Sequence, residues 1–385
     1  MKKKICFLNY VILILFISSG IIQSQEKSLA ELYKSGQIRL EQTLLITDEN
    51  MPEDTYFQNP MGVTSTPDGR LFVSDYNANH IKIFDSSGKF LDIIGREGQG
   101  PGEFNGPYRI CYFGDELLVY ELRARRFSIF KPDGTYLRNS QVDMLDGSPR
   151  KIQALPDGRI VMEKEKTYLW RETRPQECRL KLLSSELKTI KVLFEYDIWR
   201  NRYITKPQRT NIPQPFYMDM VWEVMPDGRI LVGLSENYEI FFFSPDKGRL
   251  SGFKHEYKPV EVTKKERDEW FGKMTYNFGN EIKQGAQPFV VKNTKFPKNK
   301  PAFHDIKVDA EGNILVFTHT DGINYDYTFF DAFDPQGRFI NRVEVKGDFH
   351  FQGNTIRLGE FFASIQNGFD DQFQIQLYKI VSGDK

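Results

Sequence analysis

Histidines beside acids are the first residues in this chain that could do chemistry: His304 precedes Asp305, His319 lies two residues before Asp321, and His350 follows later. Two imidazoles and a carboxylate can hold zinc. The spacings that announce such a site are missing, since neither His-x-His nor His-Glu-x-x-His occurs. No cofactor is therefore expected. His304, His319 and His350 stand as zinc candidates without a motif, and calcium held by Asp and Asn side chains would lack a loop signature too. A nucleophile elbow Gly-x-Ser-x-Gly is absent, so no Ser-His-Asp triad can be read. The glycine-rich run Gly95–Gly102 lacks Gly-Lys-Ser/Thr and leads into a strand, which makes it a linker rather than a phosphate loop.

A second group suits binding. Tyr108, Arg109, Arg150, Trp170, Asp219, His304 and Asp305 are the candidate ligand-binding residues, with Lys151 beside them. Arginine bonds acids through two N–H groups and aromatic rings stack, so the set fits a carboxylated, phosphorylated or sugar-like ligand. For Arg109 and Arg150, an internal salt bridge and a ligand contact both remain open. Asp75 and Asn79 are expected to hold their own loop through Asx-turn bonds. These residues are far apart in sequence, so a repeated scaffold must gather them.

The scaffold shows in its turns. Pro-Asp-Gly occurs at 67–69, 132–134, 156–158 and 226–228, with related turns at Ser86-Ser87-Gly88, Ala310-Glu311-Gly312 and Pro335-Gln336-Gly337. Pro presets φ, Asp accepts backbone bonds and Gly takes positive φ, so each turn joins two strands. Residues 61–94 contain four such strands and read as one propeller blade. The second strand of successive blades is expected to start at Arg70, Glu116, Arg159, Arg229, Asn313 and Glu360. Six blades follow, with insertions at about 195–218 and 255–301. The last blade shows three strands, at about 354–358, 361–365 and 373–380, and an orphan strand runs from Gln37 to Ile46. The N-terminal strand is therefore expected to complete the sixth blade and close the ring, which protects its edges. Ser28 and Glu31 have capping-box spacing before Gly36, and Thr263 and Glu266 repeat it inside the second insertion. Each predicts a short helix.

Lys2, Lys3 and Lys4 precede an apolar run from Val11 to Ile22, which reads as a signal peptide over 1–24, leaving a propeller over 25–385. No cysteine ends that run, so a lipoprotein is not expected. The whole chain has 52 Lys+Arg against 52 Asp+Glu. Removing residues 1–24 takes away three lysines and leaves a charge of −3, which disfavours a nucleic-acid partner. No later stretch is apolar over the roughly 20 residues that a membrane span needs.

The stretch from Asn59-Pro60-Met61-Gly62-Val63 to Gly100-Pro101-Gly102-Glu103-Phe104 resembles the NHL repeat. The features shared are Pro-x-Gly-Val, Gly-Arg-Leu-Phe-Val-Ser-Asp, Asn-His-Ile-Lys-Ile-Phe-Asp, and the glycine-rich run ending Gly-Glu-Phe. The chain as a whole resembles the exported six-bladed β-propeller proteins of Bacteroidota, which use NHL-like blades. That resemblance implies fold and export more than activity. Related propellers include zinc-dependent amidating lyases and calcium-dependent lactonases, and fold alone does not choose among them.

The expectation is an all-β, exported, monomeric propeller in the periplasm or outside the cell, acting as a binding module. Its partner would be a peptide, a glycan or an envelope protein, held over the channel mouth on the face carrying the insertions. The alternative is a metal-dependent lyase or hydrolase using the same mouth.

Overall fold

The computed structural model describes residues 27–166, 175–199, 201–204, 210–278, 281–319, 327–346, 356–358, 361–367 and 372–383. Among them are six four-stranded antiparallel sheets. Blade 1 is β2 (Pro60–Ser65), β3 (Leu71–Asp75), β4 (His80–Phe84) and β5 (Phe90–Ile94); β1 (Ile38–Ile46) precedes it and belongs elsewhere. Blade 2 is β6 (Pro107–Phe113), β7 (Glu116–Glu121), β8 (Arg126–Phe130) and β9 (Tyr136–Gln141). Blade 3 is β10 (Ser148–Ala154), β11 (Ile160–Lys166), β12 (Gln176–Leu183) and β13 (Thr189–Ile198). A small hairpin, β14 (Asn201–Ile204) and β15 (Thr210–Pro213), leads to blade 4: β16 (Met220–Val224), β17 (Ile230–Leu234), β18 (Glu239–Ser244) and β19 (Gly248–Lys254). Blade 5 is β22 (Asp305–Val308), β23 (Ile314–Phe317), β24 (Tyr327–Phe333) and β25 (Phe339–Lys346), after a hairpin of β20 (Thr275–Phe278) and β21 (Glu281–Gln284). Blade 6 is β26 (Ile356–Leu358), β27 (Phe361–Asn367) and β28 (Phe373–Ser382), with β1 as its outer strand.

The turns behave as their composition dictates. In the Pro-Asp-Gly turns the glycines take φ between 83° and 90°, where an L side chain is strained. The aspartates accept the N–H two residues on, as Asp157 does from Arg159 at 3.0 Å and Asp227 from Arg229 at 3.0 Å. The second strands begin at Leu71, Glu116, Ile160, Ile230, Ile314 and Phe361, each within one residue of the sequence expectation.

The core lies between blades rather than within them. Six apolar clusters fill the six junctions, from Phe72 and Ile83 against Leu117 and Val119 between blades 1 and 2, to Leu71 and Val73 against Ala363 and Ile375 between blades 1 and 6. Alternate residues of one strand thus face opposite neighbours: Leu71 and Val73 meet blade 6 while Phe72 meets blade 2. Both faces are buried, which is why the second strands read as unbroken apolar runs. Two-sided packing also makes the ring close on itself. Ile38 of β1 pairs with Ser382 and Ile46 with Ile375, so the first and last strands are neighbours. α1 (Leu29–Ser35) starts with a capping box from Ser28 and Glu31, ends at Gly36, and buries Leu32 and Tyr33 in the junction of blades 5 and 6. The second insertion supplies α2 (Lys264–Gly272), capped by Thr263 and Glu266, and α3 (Pro288–Asn293).

Candidate functional site

A cavity of about 810 Å³ occupies the ring, walled by the innermost strands β2, β6, β10, β16 and β22. Arg109, Arg150, Asp219, His304 and Asp305, taken from four blades or their entrances, all line it. Tyr108 stands behind Arg109, whose guanidinium lies 4.2 Å from its ring. Trp170 and His350 lie outside the described residues.

The inner strands of the first three blades share one device at their start. Pro60 and Pro107 begin their strands and Pro149 is the second residue of its own, and the pairing skips one residue just after each: Met61, Tyr108 and Arg150. A bulge leaves its residue unpaired and re-aims it. Arg109 uses the carbonyls freed in this way. Its Nη1 donates to Met61 O of blade 1 at 2.8 Å and its Nε to Arg150 O of blade 3 at 2.9 Å, while Nη2 donates to Tyr108 Oη at 3.1 Å. One side chain therefore ties three blades together at the mouth. Burial pushes its pKa down, with Tyr108 and Glu163 opposing and Arg150 reinforcing the shift.

Other cations are matched by acids. Lys151 Nζ meets Glu223 Oε2 at 2.6 Å, and Lys307 Nζ meets Asp305 Oδ2 at 2.9 Å. Arg150 Nη1 sits 3.3 Å from both Glu163 and Glu165. Burial would lower its pKa, but Glu163, Asp219 and Glu165 together raise it. Asp219 touches solvent through the cavity, yet protein surrounds it. Burial lifts its carboxyl to about 7, with Asp305 adding and Arg150 and the Met220 N–H opposing. The His304 and His319 rings are 4.9 Å apart, and burial lowers both pKa values, with the neighbouring His304 adding to the shift at His319. His319 Nε2 is buried and has no hydrogen-bond partner among the described residues. Among the described residues no group of three His, Cys, Asp or Glu is placed to hold a metal ion.

Sequence reasoning missed Glu163, Phe216, Tyr217 and Ser235 in the lining. Glu163 stands in Glu-Lys-Glu-Lys, which reads as a solvated edge; here Glu163 and Lys164 are both buried, and Glu163 accepts Trp222 Nε1–H at 2.9 Å. Only the alternation Val161, Glu163, Glu165 on one face could have hinted at it. Asp75 also does more than hold its loop. It is fully buried, accepts the N–H groups of Gln58 and Asn59 at 2.9 and 2.8 Å, and pairs with Lys82 at 2.6 Å. Asn79 accepts the N–H of Gly106, at the entrance to the next blade. Blade 2 repeats the clamp with Glu121, which binds Asn105 N–H and Arg126. Cys111 lines the cavity, but burial pushes its thiol up to about 12 and leaves it inert.

A family model described as a 6-bladed beta-propeller, DUF5128, matches residues 50–210, which span the first three blades. No curated protein matches the sequence. Among solved structures, a DUF4221-family member from Bacteroides vulgatus is 11% identical, with 90% of this chain and 99% of that one covered and a TM-score of 0.54. A Bacteroides fragilis protein described as exported is 10% identical over 90% of this chain and 96% of its own, with a TM-score of 0.49. Virginiamycin B lyase from Staphylococcus aureus is 15% identical over 89% and 99%, with a TM-score of 0.41. Among the described residues no helix is long and apolar enough to cross a membrane. The sheets, the family match and the DUF4221-like fold agree on one conclusion: the chain is a six-bladed β-propeller.

Proposed function

We propose that this chain is an exported propeller whose role is binding, with a peptide, glycan or envelope protein held over the channel mouth. The observation that carries this reading is the 810 Å³ cavity, whose lining gathers Arg109, Arg150, Asp219, His304 and Asp305 from distant points of the chain. A concave site with a few converging polar groups on a rigid ring is the usual form of a ligand site. The test is affinity capture from the cell envelope, followed by mass spectrometry. A partner should be captured by the parent protein and by Arg229→Ala, which alters the turn at the opposite end of blade 4, and lost with Arg150→Ala combined with Asp219→Ala. Equal capture by all three proteins would overturn the reading.

A metal-dependent lyase or hydrolase at the same mouth is the second reading, favoured by the closeness of His304 and His319. Stoichiometric zinc or calcium in the purified protein, lost in His304→Ala, would establish it in place of a purely binding role.

A further inference from the structure

We infer that Arg109 is the anchor for a carboxylate carried by the ligand, and that a singly charged acid with an apolar body is the chemistry this cavity selects. The inference rests on the binding role proposed above and narrows it. Its ground is that the cavity's cations are not equivalent. Lys151, Lys307 and Arg150 each have an acid within 3.3 Å. Among the described residues Arg109 has no acid in ion-pair range: its partners are two backbone carbonyls and a phenol, all neutral. A partly buried cation with no acid in direct contact is costly, and an incoming anion can lower that cost.

The guanidinium is also already oriented. Three of its five N–H groups are engaged, which leaves one N–H on each terminal nitrogen, and its central carbon lies 4.2 Å from the centre of the Tyr108 ring. Two donors on adjacent nitrogens match the two oxygens of a carboxylate. The acids nearby, Glu163, Asp219 and Asp305, make the site unfavourable for a phosphate dianion. The rest of the ligand would meet Phe216, Tyr217 and Phe303, which are apolar or aromatic, and His319 Nε2 offers a buried hydrogen-bonding atom without a partner among the described residues. A hydroxylated aromatic acid fits all of these features. The carboxylate could belong to a free small acid or to the C-terminus of a peptide, and the same recognition serves either.

Calorimetric titration of the purified protein distinguishes these cases. The probes are phenylacetate, 4-hydroxyphenylacetate, phenylacetamide, phenethylamine and inorganic phosphate, with a short peptide ending in Phe as its free acid and its amide. The acids should bind at least about tenfold more tightly than the matched amides, the amine and phosphate, because a hydrogen bond to a charged group is worth that factor or more. Arg109→Gln should remove this preference. The comparison of acid with amide on the unaltered protein needs no variant, so it stands even if Arg109→Gln loosens the ring. Tight binding of the free peptide acid with feeble binding of phenylacetate assigns the carboxylate to a chain terminus; the reverse assigns it to a small acid. Equal binding of acids and amides, tighter binding of the amine, or no binding of any probe would overturn the inference. If the probes fail while envelope capture still depends on the mouth, the inference falls and the binding role survives.

Discussion

Asp219 shows how one side chain can make the site sensitive to pH. Its carboxyl titrates near 7, against an ordinary value of 3.8, because burial outweighs the pull of Arg150. The groups facing it are Arg150 on β10, Glu163 on β11, Cys178 on β12, Tyr196 on β13, Tyr217 beside it and Asp305 on β22. A carboxyl whose folded pKa is raised binds its proton more tightly folded than unfolded. Its contribution is fully present below the unfolded pKa and is lost as pH rises from about 4 through 7. Asp219→Asn imitates the protonated form and keeps an oxygen for the Met220 N–H. The variant should therefore match the parent near pH 4 and exceed it in stability at pH 8. Discounted for the solvent that reaches the group, the gain is on the order of 1–3 kcal/mol, read by urea denaturation at both pH values. A gap that does not change with pH would refute the assignment. The sequence offered Arg109 and Arg150 as equals, and no local rule could separate them. Arg150 finds its acids on the adjoining strand of its own blade, and Arg109 finds carbonyls on two other blades, so only the assembled ring distinguishes them.

At the scale of strands, the clamp of blade 1 invites a direct measurement. Lys82 on β4 is wholly buried and neutralises Asp75 on β3, which in turn holds the entering chain at Gln58 and Asn59. Lys82→Met fills the same space but strands a buried carboxylate. The expected loss is about 3–5 kcal/mol by chemical denaturation, and a loss below about 1 kcal/mol would show that the pair is not a structural requirement. The strands themselves were readable because their signals are local. Pro-Asp-Gly fixes a turn within four residues, and the capping boxes at Ser28 and Thr263 fix helix starts in the same way. The clamp was not readable: Lys82 alternates with Ile81 and Ile83 as a solvent-facing residue would, but those two face blade 2 while Lys82 turns the other way, onto Asp75 and the Phe57 ring 5.1 Å away. The bulges at Met61, Tyr108 and Arg150 were hidden for a related reason, since a skipped pairing partner has no signature beyond the proline before it.

For the molecule as a whole, integrity depends on the junction between its first and last strands. β1 and α1 contribute Leu32, Tyr33, Ile38 and Ile46 to the clusters on either side of blade 6. Deleting residues 27–46 should uncover the edge of β28, broaden the thermal transition and produce association visible by size-exclusion chromatography. A peptide of residues 37–47 added in excess should restore the monomeric elution position. A truncated protein that stayed monomeric and melted like the parent would show that the clasp is dispensable. The clasp also carries a consequence in time. Thr43 bonds to the carbonyl of Leu377, 334 residues away, although the other blades close on neighbours made moments earlier. Loop-closure entropy grows slowly with length, so the equilibrium cost of such a distant contact is small. Its cost falls on the rate, because contacts of long sequence separation form late. Five blades can assemble from neighbouring segments, but until β1 pairs with β28 the ring is an open crescent with two unpaired edges. The lifetime of that crescent, set against its rate of self-association, determines the yield of folded protein.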